Sequence, residues 1–377
     1  MRRVISIILS IIILTGLLVS CADNTPNSKS ETKSKKTAVK ELNESQIKAL
    51  AEKYDKRLER SDFEGVCYVT ERGRTIYNKG VNYADKKKKI KNSENTVFRI
   101  ASITKQFTAA AIMILQERGK LSVNDKLNKY FPDYKYGGKI TLENLLQMRS
   151  GIPEYISEDM YSTLLNEKAL FKNSAEQNKK YFEKRILSKK LRFDPDSRFE
   201  YSNSNYYLLG EIVEKASGTF YHKFIKKEIF DKLGMTSSGF VDDANKFGDN
   251  VAKPYNAVDE NLEILKIKAI AFACGDIITN AVDLVKWADG LRNNKILSEQ
   301  SLKAMTRAKS NYGYGLNVMK SGGAVYHSGG FPPYYSMLFT ALDSTEYTCI
   351  VLSNYNCTLT GDVTAKFGQD YLDVLTR

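Results

Sequence analysis

Histidine is scarce in this chain of 377 residues, which holds only two, His222 and His327. Metal sites of the H-E-x-x-H type are excluded because the string does not occur, and a Ser-His-Asp triad would have to use one of these two side chains. His222 follows an amphipathic stretch, and we expect it at the surface or satisfied within the core. His327 stands in Y-H-S-G-G after a strand-like approach and is the stronger candidate for a functional role.

Cysteine is also sparse, with five in the whole chain. Cys67, Cys274, Cys349 and Cys357 show no spacing typical of a zinc site and are too few for a disulfide scaffold. The apolar runs V-C-Y-V and T-C-I-V-L indicate small buried thiols, which is the default for free cysteine. A single disulfide stays open as the alternative.

The remaining cysteine, Cys21, ends an apolar N-terminal segment. Arg2 and Arg3 are positively charged and residues 4–20 carry no charge, which is the layout of a secretory signal. The string L-V-S-C over residues 18–21 resembles the lipobox of bacterial lipoproteins, whose signal is cleaved before a cysteine that then carries the lipid. This resemblance predicts a signal peptide over residues 1–20 and an extracytoplasmic protein anchored to the bacterial cell membrane through Cys21. An uncleaved membrane helix is the alternative, although a spanning helix needs about 20 apolar residues.

The composition changes after Cys21. Residues 22–45 contain no aromatic residue and many Ser, Thr, Asn and Lys, so they bury too little apolar surface to offset the entropy of ordering. We expect a flexible tether over residues 21–45 and a folded region over residues 46–377. That length supports one large domain or two closely packed ones.

The formal net charge is +13, and four consecutive lysines occupy positions 86–89. A basic face alone does not indicate nucleic-acid binding, and we find no nucleic-acid-binding module, so no nucleic acid is expected as a partner. The lysine run is typical of a solvated hairpin tip. An exported basic protein is expected near anionic envelope polymers or lipid head groups.

Strand patterns lie at both ends of the folded region, and helices lie between them. Residues 64–80 alternate and turn as a hairpin does, and residues 102–118 have helical periodicity. Residues 120–270 are mostly helical segments and loops. Short strand patterns follow position 274, and a last helix is expected over residues 362–376. This order predicts an α/β fold, with an antiparallel sheet built from both termini and an inserted helical region.

The string Ser102-Ile103-Thr104-Lys105 stands at the start of the predicted helix 102–118. One helical turn separates the serine hydroxyl from the lysine amine, so both can lie on the same side. A serine hydroxyl needs an adjacent base to become a good nucleophile, and a lysine kept neutral by burial or a neighbouring cation can serve. The helix start also offers an unpaired backbone N–H to a developing oxyanion.

A second string, Tyr201-Ser202-Asn203, stands in a loop that runs into a helix. A tyrosine can relay a proton to a leaving group, and an asparagine offers a donor and an acceptor to a substrate amide. The alternative is an N-cap made by Ser202, Asn203 or Ser204.

The third string is His327-Ser328-Gly329-Gly330. At a strand edge, a backbone N–H can complete an oxyanion hole and glycine allows a substrate to approach closely. Alone, this string is an ordinary turn.

The strings S-x-x-K, Y-x-N and H-x-G together resemble the serine β-lactamase-related family, which includes class C β-lactamases, DD-peptidases, D-aminopeptidases and carboxylesterases. Residues 140–153 resemble its I-T-I-x-x-L-L-x-x-x-S-G-I-P segment, and residues 230–235 resemble its F-x-P-L-G-M segment. The likeness covers roughly residues 55–375. It implies a β-lactamase/transpeptidase-like fold, with an antiparallel five-stranded sheet flanked by helices, an inserted helical domain over about 120–270, and no metal or organic cofactor.

The resemblance also implies roles for the site residues. Ser102 attacks a carbonyl carbon and forms an acyl-enzyme, with Lys105 as the base, alone or together with Tyr201. Tyr201 then protonates the leaving group and helps to activate water. Asn203 holds Lys105 and the substrate amide, and His327 lines the site and polarises Tyr201.

The oxyanion hole is implied to consist of the backbone N–H groups of Ser102 and Gly330, with Ser328 and Gly329 lining the substrate site. The third string departs from the K-T-G of class C β-lactamases, so efficient β-lactamase activity is not expected. Related DD-peptidases often carry a hydroxyl at the position of Gly330, and residues 331–334 (F-P-P-Y) depart from the common I-P-G-F.

Three functions follow as alternatives. The first is a DD-peptidase-like hydrolase, of the D-Ala-D-Ala carboxypeptidase or penicillin-binding type, acting on cell-wall peptides. The second is a carboxylesterase or D-alanyl esterase with the same residues. The third is a non-enzymatic β-lactam-binding sensor. In each case the expected partner is a small-molecule or peptide ligand derived from the cell envelope.

Overall fold

The computed structural model describes residues 41–156, 164–257, 259–319, 322–355 and 360–375. The predicted signal peptide, the lipidation site Cys21, most of the predicted tether and Cys357 lie outside these residues. Leu42 is buried and Asn43 caps a helix that begins at Glu44, so folded structure starts a few residues before the predicted boundary at 46. No helix of the described residues is long and apolar enough to span a membrane.

The described residues form two long helices near the chain ends and a series of mostly shorter helices between them. The α-helices are α1 (Glu44–Glu59), α2 (Thr104–Glu117), α3 (Leu142–Leu146), α4 (Lys168–Lys172), α5 (Ala175–Leu187), α6 (Asn203–Ser217), α7 (Tyr221–Ile225), α8 (Asp231–Leu233), α9 (Asp259–Ile264), α10 (Phe272–Gly275), α11 (Ala281–Arg292), α12 (Glu299–Thr306) and α13 (Thr360–Leu375). The region expected to be helical, residues 120–270, holds α3 to α9.

The strands belong to one large antiparallel sheet and two small ones. They are β1 (Gly65–Glu71), β2 (Arg74–Val81), β3 (Tyr83–Asp85), β4 (Ile90–Lys91), β5 (Phe98–Arg99), β6 (Gly239–Phe240), β7 (Ile277–Thr279), β8 (Asn317–Val318), β9 (Ala324–Phe331), β10 (Tyr334–Ala341) and β11 (Thr348–Ser353). The large sheet has the order β2-β1-β11-β10-β9-β8, which joins strands from both ends of the folded region as expected. It has six strands instead of the expected five, because the short β8 pairs with the beginning of β9.

The large sheet is covered on both faces, because alternate side chains of a strand point to opposite sides. Cys67 of β1 and Val351 of β11 are register partners and pack against α1 and α13, where Tyr54 stacks on Phe367 at 3.8 Å between ring centroids. On the other face, Val66 belongs to the larger core that contains α2. Both cysteines of the sheet, Cys67 and Cys349, are buried, as is Cys274.

Helix α2 is the central element of the larger core. Every residue from Thr104 to Leu115 is buried, which is the pattern of a helix surrounded on all sides. A three-stranded sheet of order β5-β7-β6 lies at its N-terminal end. This small sheet fixes the direction in which the chain enters α2.

Candidate active site

Ser102 lies in a tight turn between β5 and α2. Residues Ala101–Ile103 form one turn of 3-10 helix, and Ala101 has a φ of 44°. A left-handed conformation at a residue other than glycine is uncommon and tends to mark functional sites. The turn is anchored on one side by the Ile100 N–H, which donates to the carbonyl of Ile277 in β7. The serine is half-buried, with its hydroxyl close to two other polar side chains.

Lys105 is the first of these side chains and is fully buried one turn after the serine. Its Nζ donates to Ser102 Oγ at 2.9 Å and to the carbonyl of Cys274 at 2.8 Å. The same amine lies 5.2 Å from the ring centroid of Tyr201 and 5.9 Å from that of Tyr206. The buried amine is therefore aimed at the serine by a backbone carbonyl and by packing.

Tyr201 is the second side chain at the nucleophile. Its hydroxyl donates to Ser102 Oγ at 3.0 Å, from a loop residue 99 positions further along the chain. Ser102, Lys105 and Tyr201 thus meet around one oxygen atom, as the two sequence strings predict. Both the amine and the phenol are within the distance at which a proton passes between heteroatoms.

The edge of β9 passes beside the turn that holds the nucleophile. A Cβ atom at Gly329 would lie 2.1 Å from the carbonyl oxygen of Ile100, so only glycine permits this approach. Gly330 is exposed, and a Cβ atom there would meet only Tyr335 at 3.8 Å. Within the described residues, β8 pairs with β9 only at Val325 and Tyr326. The side of β9 beyond Tyr326 is therefore open where it passes the serine.

His327 is buried at the beginning of this open edge. Its Nδ1–H donates to the carbonyl of Ser328 at 2.6 Å, which leaves Nε2 as the acceptor for the Tyr312 hydroxyl at 3.1 Å. Burial and the nearby charge of Lys105 lower the pKa of His327 to about 3. The imidazole is therefore neutral at physiological pH. The partner of its Nε2 is Tyr312, whereas the family resemblance implied contact with Tyr201, whose ring centroid lies 6.3 Å away.

Comparison with known proteins identifies the family that has this arrangement of residues. A model of the family described as Beta-lactamase matches residues 50–368. The chain belongs to the beta-lactamase family. It is a serine hydrolase related to penicillin-binding proteins, and the fold expected from the sequence is confirmed.

Similar proteins extend over most of the chain. The putative penicillin-binding protein PbpX of Bacillus subtilis is 31% identical over 360 residues, which cover 93% of this chain and 85% of that protein. The crystal structure of FmtA from Staphylococcus aureus aligns with a TM-score of 0.71 at 24% identity, over 87% of this chain and 89% of that one. The structure of D-amino acid amidase from Ochrobactrum anthropi complexed with D-phenylalanine aligns with a TM-score of 0.68 at 21% identity, over 87% of this chain and 99% of that one.

In this beta-lactamase family member, Asn203 contacts a carboxylate that the sequence strings did not include. Its backbone N–H and its Nδ2 donate to Glu154 Oε2, at 2.7 and 2.9 Å. The other carboxylate oxygen accepts the backbone N–H groups of Tyr155 and Ile156. Among the described residues, no hydrogen bond joins Asn203 to Lys105, so the contact implied by the resemblance is replaced by one to Glu154.

Glu154 also takes the place of a capping side chain for helix α6. Ser202 occupies the N-cap position without a side-chain hydrogen bond, and the carboxylate of Glu154 accepts the first free N–H instead. A negative charge is favourable at a helix N-terminus. Burial raises the pKa of the Glu154 carboxyl, and its N–H donors together with the charge of Lys105 offset this only in part.

The S-G-I-P segment, residues 150–153, is bound to the first turn of α6 by further hydrogen bonds. The Ser150 hydroxyl donates to Asn205 Oδ1, and the Ser204 hydroxyl donates to the carbonyl of Pro153 at 2.6 Å. Gly151 has a φ of 79°, and a Cβ atom there would lie 2.2 Å from the carbonyl oxygen of Phe193. These contacts hold the segment against the start of α6 and so set the position of Tyr201 and Asn203.

His222 lies apart from Ser102 and has a different environment. Its Nε2 is 2.6 Å from Asp276 Oδ2, and its ring stacks on Phe240 at 3.8 Å between centroids. Burial lowers the pKa of His222, but the charge and hydrogen bond of Asp276 outweigh burial and leave the pKa above its ordinary value. The side chain is satisfied within the protein, in agreement with one of the two positions expected from the sequence.

The neutral state of His327 predicts how stability depends on pH. Between about pH 6.5 and 3 the unfolded chain binds a proton at this histidine and the folded protein does not, so the free energy of unfolding falls as the pH is lowered through this range. From pH 7 to 5 the loss amounts to about 2 kcal/mol. His327→Gln keeps an acceptor for Tyr312 but cannot titrate, so we expect this acid-dependent loss to be absent in the variant.

Urea unfolding of the native protein and of His327→Gln at pH 7 and pH 5 measures this difference. Carboxylates contribute to the pH dependence of both proteins and cancel in the comparison. An equal loss of stability in the two proteins would show that His327 is not held neutral by the fold.

Proposed function

We propose that this protein is a DD-peptidase-like hydrolase that acts on cell-wall peptides ending in D-Ala-D-Ala. The observation that carries the proposal is the open edge of β9 beside a serine hydroxyl contacted by both Lys105 and Tyr201. An extended peptide can add to an open strand edge through main-chain hydrogen bonds, which an isolated acyl ester cannot do. The name of the relative PbpX, a putative penicillin-binding protein, agrees with this choice.

Acylation follows from the geometry of the three side chains. Ser102 Oγ attacks the carbonyl carbon of the scissile bond, and its proton passes to Lys105 Nζ with that amine neutral, or to the Tyr201 oxygen with that phenol ionised beside charged Lys105. The N–H groups of Ser102 and Gly330 are the proposed donors to the negative oxygen of the tetrahedral intermediate. The leaving amine takes a proton from Tyr201, and an acyl-enzyme on Ser102 remains.

Deacylation uses the same residues with the roles of acid and base reversed. Acylation leaves Tyr201 as a phenolate beside protonated Lys105, and a water molecule donates its proton to this phenolate as it attacks the acyl carbon. Ser102 Oγ then leaves and regains a proton from the same pair. Neutral His327 contributes no charge to this transfer, and its hydrogen bond to Tyr312 keeps the ring beside Tyr201.

An esterase with the same residues is the second candidate function, and one observation favours it. Gly330 is exposed and carries no hydroxyl, so this position of β9 offers no side-chain donor to the carboxylate of a D-alanyl terminus. Ser328 is then the remaining hydroxyl of the H-S-G-G string. Such a site accommodates D-alanyl esters of envelope polymers as well as peptides. A β-lactam-binding sensor would use the same acylation without turnover.

Incubation with three substrates separates these functions. We expect intact-protein mass spectrometry to show an adduct on Ser102 with a β-lactam, and chromatography to show release of D-alanine from a D-Ala-D-Ala peptide. Turnover of a short activated ester without peptide cleavage would replace the peptidase with an esterase. A stable β-lactam adduct without turnover of any substrate would indicate a sensor.

The variant Gly330→Ser tests whether the protein is a peptidase or an esterase. A Cβ atom fits at this position, so the substitution adds a hydroxyl to β9 without a steric clash. In a peptidase the new hydroxyl should improve peptide cleavage relative to ester cleavage. An unchanged ratio of the two rates would indicate that the terminal carboxylate is not bound at this position.

A further inference from the structure

The amide group of Asn203 is held by the protein at one end only. Its Nδ2 and its backbone N–H both donate to Glu154 Oε2, at 2.9 and 2.7 Å. Its Oδ1 accepts no hydrogen bond from any of the described residues. Asn203 is half-buried and stands two positions after Tyr201, whose hydroxyl donates to Ser102 Oγ. The segment that brings Tyr201 to the nucleophile therefore also carries an unpaired acceptor.

The carboxylate of Glu154 determines which atom of this amide faces it. An ionised carboxylate only accepts hydrogen bonds, whereas an amide side chain has a donor nitrogen and an acceptor oxygen. Contact through Oδ1 would place two acceptors against each other, so Asn203 must turn Nδ2 toward Glu154 and Oδ1 away from it. The orientation of the amide thus follows from the chemistry of its partner.

The carboxylate of Glu154 is itself fixed in place. Its Oε1 accepts the backbone N–H groups of Tyr155 and Ile156, at 2.9 and 3.1 Å, while Oε2 accepts the two from Asn203. These donors occupy both oxygens, so the carboxylate cannot rotate without breaking hydrogen bonds. They also favour its ionised form, since a protonated carboxyl would have to donate from one of these oxygens. Glu154 is therefore a rigid support for Asn203.

The free oxygen of Asn203 is suited to an N–H of the substrate. An N-acylated amino acid carries an amide N–H one carbon away from the carbonyl group that Ser102 attacks. This N–H can donate to an amide oxygen that the protein leaves without a donor. An acyl group with an ester oxygen in place of the N–H would instead place a second acceptor against Asn203 Oδ1, which costs binding energy in the transition state.

We propose that Glu154 is a positioning residue that fixes the Asn203 amide with Oδ1 toward the substrate, where it accepts the N–H of an amide next to the scissile carbonyl. The site then selects N-acylated amino acyl groups over acyl groups that lack this N–H. The proposal rests on the acylation of Ser102, as the proposed function does, but it does not require cleavage of a D-Ala-D-Ala peptide. A role of Glu154 in capping α6 alone would leave the preference independent of Glu154.

Two activated esters that differ at one position test this preference. The p-nitrophenyl esters of N-acetyl-D-alanine and O-acetyl-D-lactate have the same shape, but the second carries oxygen in place of the N–H. We expect kcat/KM of the native protein, divided by the rate constant for hydroxide, to be at least about tenfold higher for the N-acetyl-D-alanine ester. The ratio of the two values does not depend on the fraction of folded protein, so a purely structural defect leaves it unchanged.

The variant Glu154→Gln removes the constraint on the Asn203 amide. The oxygen of the new side chain can satisfy the N–H groups of Tyr155 and Ile156, and its NH₂ group then faces Asn203, which is expected to turn Oδ1 toward it. The preference for the N-acetyl-D-alanine ester should fall about fivefold or more. Asn203→Ala should lower it to a similar extent, and the double variant should lower it no further, because both residues act through one oxygen atom.

Glu200→Gln is the matched control. It removes a carboxylate directly before Tyr201 that pairs with Arg192 and Arg198, and it should leave the preference unchanged. Equal values for the two esters in the native protein, or an unchanged preference in Glu154→Gln, would overturn the proposal. A preserved preference without cleavage of a D-Ala-D-Ala peptide would support the role of Glu154 and overturn only the peptidase.

Discussion

Replacing Ser102 by alanine is expected to lower kcat for every substrate by about four to six orders of magnitude, as removal of the nucleophile does in other covalent hydrolases. The hydroxyl is the atom on which Lys105 and Tyr201 converge, and in the part of the chain that the structure describes no second hydroxyl is contacted by both. Without it, neither the amine nor the phenol has a nucleophile to activate. The residual rate should reflect binding and the oxyanion donors alone.

The fold should tolerate this substitution. Ser102 is small and half-buried, and in its absence Lys105 Nζ keeps its hydrogen bond to the carbonyl of Cys274. We therefore expect unfolding free energies to agree within about 1 kcal/mol. Steady-state kinetics and intact-protein mass spectrometry measure the loss of turnover and the loss of the β-lactam adduct.

Ser188→Ala is a matched control for this experiment. Ser188 lies at the surface just after α5, where its hydroxyl donates to the carbonyl of Arg185. This variant should keep full activity and form the adduct at Ser102. A Ser102→Ala protein that is folded and still forms the adduct would refute the assignment of the nucleophile.

Much of the fold could be predicted because hairpin turns and helix ends leave patterns within short stretches of sequence. The hairpin of β1 and β2 turns at Arg72-Gly73, and α2 ends just before Gly119, which has a φ of 66°. The C-terminal helix begins at Thr360, close to the expected position. The expected number of five strands came from the family resemblance, whereas β8 lies within the short strand pattern of residues 312–319 and pairs with β9 over only two residues.

The part of the site that lies close together in the sequence could be predicted from the spacing between residues. Ser102 and Lys105 are three residues apart, so their proximity follows from the helical turn that leads from Ser102 into α2. Tyr201 came from its place in the family order of strings and not from spacing, since 99 residues separate it from Ser102. The structure brings these three side chains together.

The partners of Asn203 and His327 were not predictable from such local patterns. Glu154 reaches Asn203 across 49 positions, and Tyr312 reaches His327 from outside the β9 strand. Both contacts depend on how separate segments pack.

Replacing Lys105 by methionine is the second substitution with a large expected effect. Methionine keeps the length and apolar body of the side chain in its fully buried position but removes the amine, so kcat should fall by about three orders of magnitude or more. The carbonyl of Cys274 loses the donor that Lys105 supplies, which should cost about 1–3 kcal/mol of stability. Kinetics on protein shown by circular dichroism to be folded separates the two effects.

The charge of Lys105 also provides a readout that a purely structural role would not affect. This charge lowers the pKa of His327 and that of Glu154, so both should rise in Lys105→Met and the NMR titration of His327 should move upward from about 3. Lys286→Met is the matched control, because Lys286 also donates to a backbone carbonyl, that of Gly234, but lies outside the site. Its activity and its His327 titration should be unchanged. A folded Lys105→Met protein with kcat within tenfold of the native value would show that Tyr201 alone activates Ser102, because no other side chain among the described residues shares that oxygen.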